Sequence, residues 1–104
     1  MTEAAEKYFR RLYPEGDLKL SAKDPEFADF FANFAYDEVV NQDDLDDRTR
    51  MMAILAALLG CQGTVEFREL LPGALNLGVT PVEVKELVYQ ACAYLGIGRV
   101  RPFF

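Results

Sequence analysis

The chain of 104 residues contains no histidine. That removes the commonest general base at neutral pH and the commonest zinc ligand. Only two cysteines occur, Cys61 and Cys92. Two thiols without a histidine do not make a zinc site, and they do not make a disulfide framework. No metal and no cofactor are implied, and a reducing cytoplasm is the expected location. Basic residues are also few. Eleven Lys and Arg against seventeen Asp and Glu give a net charge of −6. Phosphate binding needs a basic face, so no nucleic-acid partner is expected. The N-terminus is acidic and polar, without the apolar stretch of a signal peptide. The longest apolar run is about ten residues, too short to span a bilayer, so no membrane association is expected. No strand pattern, internal repeat, low-complexity tract or phosphate-binding glycine loop is visible.

What is present reads as one all-α domain of about five helices. Hydrophobic residues make up 51% of the chain, with thirteen aromatics. That is high for a chain of this length, and other copies are expected to cover part of the apolar surface. Residues 1–44 hold the N-terminal helices. Ala5, Tyr8, Phe9 and Leu12 lie at helical spacing, and Pro14-Glu15-Gly16-Asp17 breaks that first helix. Leu18–Lys23 reads as a linker without regular structure. Asp24-Pro25 starts the next helix, Asp24 as N-cap and Pro25 as first helical residue. Phe27, Phe30, Phe31 and Phe34 follow as an aromatic stripe, expected to pack in the core or on another subunit, and the helix ends at Val39-Val40. The acidic run from Asp43 to Asp47 lacks the glycine and terminal glutamate of a calcium loop. It reads as a solvated helix entry.

Residues 45–104 form the denser half. A helix opens at Leu45-Asp46-Asp47 and carries Met51, Met52, Ile54, Leu55, Leu58 and Leu59, apolar nearly all round and so expected to be buried. Gly60 is the expected stop. A second helix starts near Thr64, with Pro72 expected to kink or split it. Gly78 is the expected left-handed residue. Thr80-Pro81-Val82-Glu83 is a capping box with proline at the first helical position. The helix it opens buries Val84, Leu87, Val88, Ala91 and Leu95 and ends at Gly96. Arg99–Phe104 is a short tail whose Phe103 and Phe104 are expected to pack on the core or a neighbouring subunit.

Asp46, Thr49 and Arg50 before an apolar helix, then Ala74–Asn76 with Gly78–Thr80 and Glu83, then Ala93, Tyr94 and Gly96, form an ordered set. In order and spacing it resembles the carboxymuconolactone decarboxylase family, which shares its fold with alkyl hydroperoxidase D. The resemblance covers roughly residues 40–100. It implies an alkyl-hydroperoxidase-D-like helical domain, a homo-oligomer (often a trimer or hexamer), and a small-molecule ligand. Related modules usually continue into a further helix beyond the tail.

The chemistry that the resemblance implies is incomplete here. In the hydroperoxidase branch a C-x-x-C pair is followed four residues later by histidine. Laid on Cys61, the second cysteine falls on Thr64 and the histidine on Arg68. Threonine cannot act as a resolving thiol. Cys61 itself precedes a helix start, where amides and a nearby Arg68 favour a thiolate. In the decarboxylase branch a histidine stands six residues before the asparagine of A-L-N-x-G, and that position is Leu70. Glu66 falls where the family often has an acid, so a buried Glu66 is a candidate general acid or base. Arg48 and Arg50 flank the start of the apolar helix, as partners for Asp46 and Asp47 or for a substrate carboxylate. Tyr94, with Tyr89, is a candidate pocket residue whose default place is the core. The candidates are thus Cys61 and Glu66 for catalysis and Arg48, Arg50 and Tyr94 for substrate. Three functions follow: a ligand-binding or assembly module with a remodelled site, a peroxide-reducing thiol enzyme using Cys61, and a decarboxylase-like enzyme on a small acidic lactone using Glu66.

Overall fold

A computed structural model describes residues 1–42 and 44–104; Asp43, in the acidic run, lies outside the described residues. The described chain is all-α, with six α-helices and no strand. It forms two compact units, Met1–Asp44 and Leu45–Phe104.

In the first unit, α1 spans Glu3–Leu12. The Thr2 hydroxyl accepts the Ala5 N–H, Glu3 and Glu6 sit in the first turn, and Arg10 and Arg11 sit in the last. These charges suit the two ends of the helix dipole. Ala5, Tyr8, Phe9 and Leu12 are buried, as their spacing requires. Lys19–Ala22 is a short 3₁₀ turn where no regular structure was expected, closed by local bonds such as Ser21 N–H to the Leu18 carbonyl at 2.9 Å. α2 spans Pro25–Asn33, and the Asp24 carboxylate accepts the Phe27 N–H. The helix then widens into a π-helical turn over Phe34–Glu38. Of the two places expected for the aromatic stripe, the core of this chain is not the one taken: Phe27, Phe30 and Phe34 are 55%, 63% and 59% exposed. Ala28, Ala32 and Tyr36 face the core instead. The π-helical turn packs on α1 and sets the Tyr36 ring 5.8 Å from the rings of both Tyr8 and Phe9. Of the four phenylalanines only Phe31 reaches an aromatic neighbour, edge-on to Tyr36 at 5.7 Å.

In the second unit, α3 spans Asp47–Gly60, with Asp46 as N-cap accepting the Thr49 N–H. Only one line of α3 is buried, Met51, Leu55 and Leu59; Ala53, Ala56 and Ala57 are exposed. The helix expected to be buried all round is thus covered on one face, against α4 (Thr64–Asn76) and α5 (Pro81–Leu95). Gly60 ends α3, but the left-handed residue is Gln62, at φ 61°. Gly63 follows because a Cβ there would sit 3.1 Å from the Leu58 side chain.

α4 runs through Pro72 without splitting. Loss of one backbone donor is tolerated where the flanking helix is held by the burial of Phe67, Gly73 and Ala74. Gly78 takes φ 103°, as expected. The capping box closes at both bonds, Glu83 N–H to the Thr80 hydroxyl at 3.1 Å and Thr80 N–H to the Glu83 carboxylate at 2.9 Å. On α5 only Val88 is fully buried; Val84, Leu87, Ala91 and Leu95 are partly covered. Gly96 ends α5 at φ 88°. The expected tail forms a short helix α6, Ile97–Val100, and a 3₁₀ turn over Arg101–Phe103. Phe103 packs edge-on against Phe67 at 5.0 Å, whereas Phe104 is 66% exposed and 6.1 Å from the Tyr89 ring.

Bonds from the Thr49 hydroxyl and backbone N–H hold the Asp46 carboxyl below its usual range. A carboxyl depressed in the folded state stabilises it at neutral pH, and that contribution is lost as pH falls through its folded value. Acid melts followed by circular dichroism below the ordinary carboxylate value of 3.8 should therefore show a loss of stability that Asp46→Asn reduces.

Candidate functional site

A concavity of the second unit lies between the last turns of α4, the first turns of α5 and the C-terminal turn. Leu71 and Leu75 come from α4, Pro81, Val84 and Val88 from α5, and Phe103 and Phe104 from the chain's end. Leu71 and Leu75, like Val84 and Val88, are i,i+4 pairs that share a helix face. Facing each other across the left-handed turn at Gly78, they leave a groove of about 350 Å³, a size suited to a small ligand. Among the described lining residues Lys85 has the one charged side chain, and its Nζ lies 5.6 Å from the Tyr89 ring centre. The groove therefore offers apolar walls and a single cation.

None of the five candidates from the sequence lines this groove. Cys61 is exposed and caps the carbonyl end of α3; its Sγ donates to the Leu58 carbonyl at 3.7 Å. That bond needs the thiol proton, and it faces the end of α3 rather than the amides of α4. Cys92, on α5, is partly buried, and neither thiol is in a disulfide. Glu66 is exposed in the first turn of α4, so the interface burial that would tune a general acid is absent. Arg68 is exposed one turn further on, and Leu70 is partly buried.

Arg48 is held by Glu83, through an ion pair and an Nε bond at 3.3 Å to the carboxylate that also closes the capping box. This contact joins the starts of α3 and α5. Arg50 pairs with Asp47 at 3.4 Å, one helical turn away. Both arginines are thus engaged within the fold. Tyr94 is 91% exposed, so it is neither core nor pocket lining here. Tyr89 is exposed beside Phe104. The groove residues were legible only as apolar stripes. The one signal for a site was Lys85 set between Val84 and Val88 on the same helix.

Residues 25–104 match the family described as the carboxymuconolactone decarboxylase family. A 4-carboxymuconolactone decarboxylase from Acinetobacter baylyi is 35% identical over 72 residues. The match takes in 69% of this chain and 54% of that protein, so the chain spans about half the length of the curated relative.

Proposed function

The chain belongs to the carboxymuconolactone decarboxylase family, and from that premise we propose that it is a binding and assembly member, not a decarboxylase. The observation that carries this reading is the groove. It has the size and apolar walls of a ligand site, with Lys85 to receive an anionic head, yet none of its described lining side chains is a carboxylate, thiol or imidazole that could move a proton. Its ligand class is a small, mainly apolar molecule with one negative group. The exposed phenylalanines Phe27, Phe30 and Phe34 support a homo-oligomer, for which a trimer or hexamer is the family's expectation, because they form a more apolar face than a lone chain would leave in water. Two thiols outside any disulfide fit a cytoplasmic location. Among the described residues no helix is long and apolar enough to cross a membrane.

Titration with 8-anilinonaphthalene-1-sulfonate, an apolar aromatic anion whose fluorescence rises on leaving water, tests the groove. Saturable binding of one probe per chain is expected. Absence of saturable binding would remove the basis for the proposal.

Peroxide reduction by Cys61 is the second reading, favoured by the exposure of that thiol. Its thiolate would attack the peroxide O–O bond and become a sulfenic acid as the peroxide is reduced to an alcohol or water. A second thiol must then condense with the sulfenic acid to a disulfide, releasing water, and a further thiol reductant must reduce that disulfide. Thr64 cannot do so, and the engagement of Cys61 with the Leu58 carbonyl gives the thiol no activating partner. Decarboxylation of a small acidic lactone through Glu66 is weaker still, because that carboxylate stands in solvent outside the groove.

A further inference from the structure

We propose that the N-terminal unit carries a separate binding site for a small oxyanion, a carboxylate or a phosphate group, in a cavity between α1 and the π-helical turn. The cavity measures about 320 Å³, and Lys7, Tyr8, Arg11, Tyr36 and Asn41 line it. Its charge is opposite to that of the unit around it. Residues 1–44 contain eleven acidic and five basic side chains. The cavity gathers two of those five bases and, among the described lining residues, no carboxylate.

The two cations sit one helical turn apart on α1. Like charges at this spacing repel each other, which an anion held between them would reverse. The neighbouring cation on the same helix is arranged differently. Arg10 is matched by Glu6 at 3.0 Å and by the Gly16 carbonyl at 2.7 Å. Lys7 has no ion-pair partner among the described residues, and its ammonium offers three donors. The Arg11 guanidinium lies over the Tyr8 ring, 5.8 Å from its centre. Stacking fixes its plane, and five N–H donors leave capacity for a ligand beside its other contacts. The Asn41 amide donates one N–H to Asp37 at 3.1 Å, which orients the group and leaves the second N–H.

The π-helical turn supplies the remaining wall. Such turns are rare and gather at functional sites. This one carries Tyr36 inward, so that its ring lies 5.8 Å from that of Tyr8. Two tyrosines, a lysine, an arginine and an amide therefore line one open cavity. The donors are too compact to track a polymer backbone, and the net charge of −6 opposes a polyanion. The site suits one small anion.

Amide NMR of the whole chain tests this, with sodium benzoate and sodium phosphate added separately at constant ionic strength. Saturable shifts centred on Ala4, Val40 and Asn41 are expected with at least one probe. Benzoate alone would assign the carboxylate class, phosphate alone the phosphate class, and both a general oxyanion site. Lys7→Gln, an exposed substitution that leaves the core intact, should weaken binding at least fivefold, and Lys7→Gln with Arg11→Gln should abolish it. No saturable shift with either probe would overturn the proposal. So would an affinity unchanged in folded Lys7→Gln, which needs no assumption about the double variant.

Discussion

Val84→Glu is expected to weaken binding of 8-anilinonaphthalene-1-sulfonate by at least about tenfold, which corresponds to about 1.4 kcal/mol. Val84 is a partly covered wall of the groove and lies next to Lys85 in the sequence. A carboxylate there acts in two ways. It must lose water when an apolar ligand seats, and an unpaired charged group costs more than the roughly 1–3 kcal/mol of a neutral one. It also offsets the positive charge of Lys85 that would receive the ligand's head. Val65→Glu provides the comparison. Val65 is exposed on α4 and outside the groove, so the same change there should leave the titration unaltered. Equal losses at both positions would mean that the probe reads exposed apolar surface in general and not this groove.

Leu55→Ala is expected to cost about 3 kcal/mol, within the range of 2–5 kcal/mol found when a buried leucine is truncated. Leu55 is 0% exposed and central in the buried line of α3, with Met51 and Leu59 on either side. Nothing in the fold is positioned to collapse into the space, because that line of α3 packs against both α4 and α5. In a small domain each kcal/mol moves the melting temperature by about 4–8 °C, so a fall of more than about 10 °C is expected. Ala56→Ser, one residue along on an exposed face of α3, should change the melt little in the monomer. Circular dichroism melts of the three proteins measure the difference. A Leu55→Ala melt close to that of the parent would contradict the assignment of this line as the core.

Features governed by local geometry were legible in the sequence. The N-cap at Asp24 and the capping box at Thr80 and Glu83 bond within one helical turn, and each forms as expected. The left-handed glycine at 78 and the helix end at Gly96 are likewise local. The buried set Ala5, Tyr8, Phe9 and Leu12 was legible too, because one stripe on α1 has one face to cover. Periodicity shows which residues share a face but not what covers that face. Phe27, Phe30 and Phe34 therefore read as packing in the core or on another subunit, although within the chain Ala28 and Ala32 are the buried residues of α2. The all-apolar α3 misled in the same way.

The site was harder to see. The groove joins Leu71 to Val84 across a turn and then to Phe103, so only tertiary packing creates it. Cys61 was correctly placed at a helix boundary, but spacing could not show that its thiol turns to the carbonyls of α3. Arg48 offers the same lesson, since its partner Glu83 is 35 positions away.

The most direct test of the central claim is turnover. The purified chain would be assayed with 4-carboxymuconolactone and, separately, with hydrogen peroxide and a thiol reductant. Cys61→Ser and Glu66→Gln would be measured alongside. A binding and assembly member gives rates equal to the uncatalysed reaction for the parent and both variants. Turnover by the parent that either substitution abolishes would contradict the account and identify the chain as an enzyme acting through that residue.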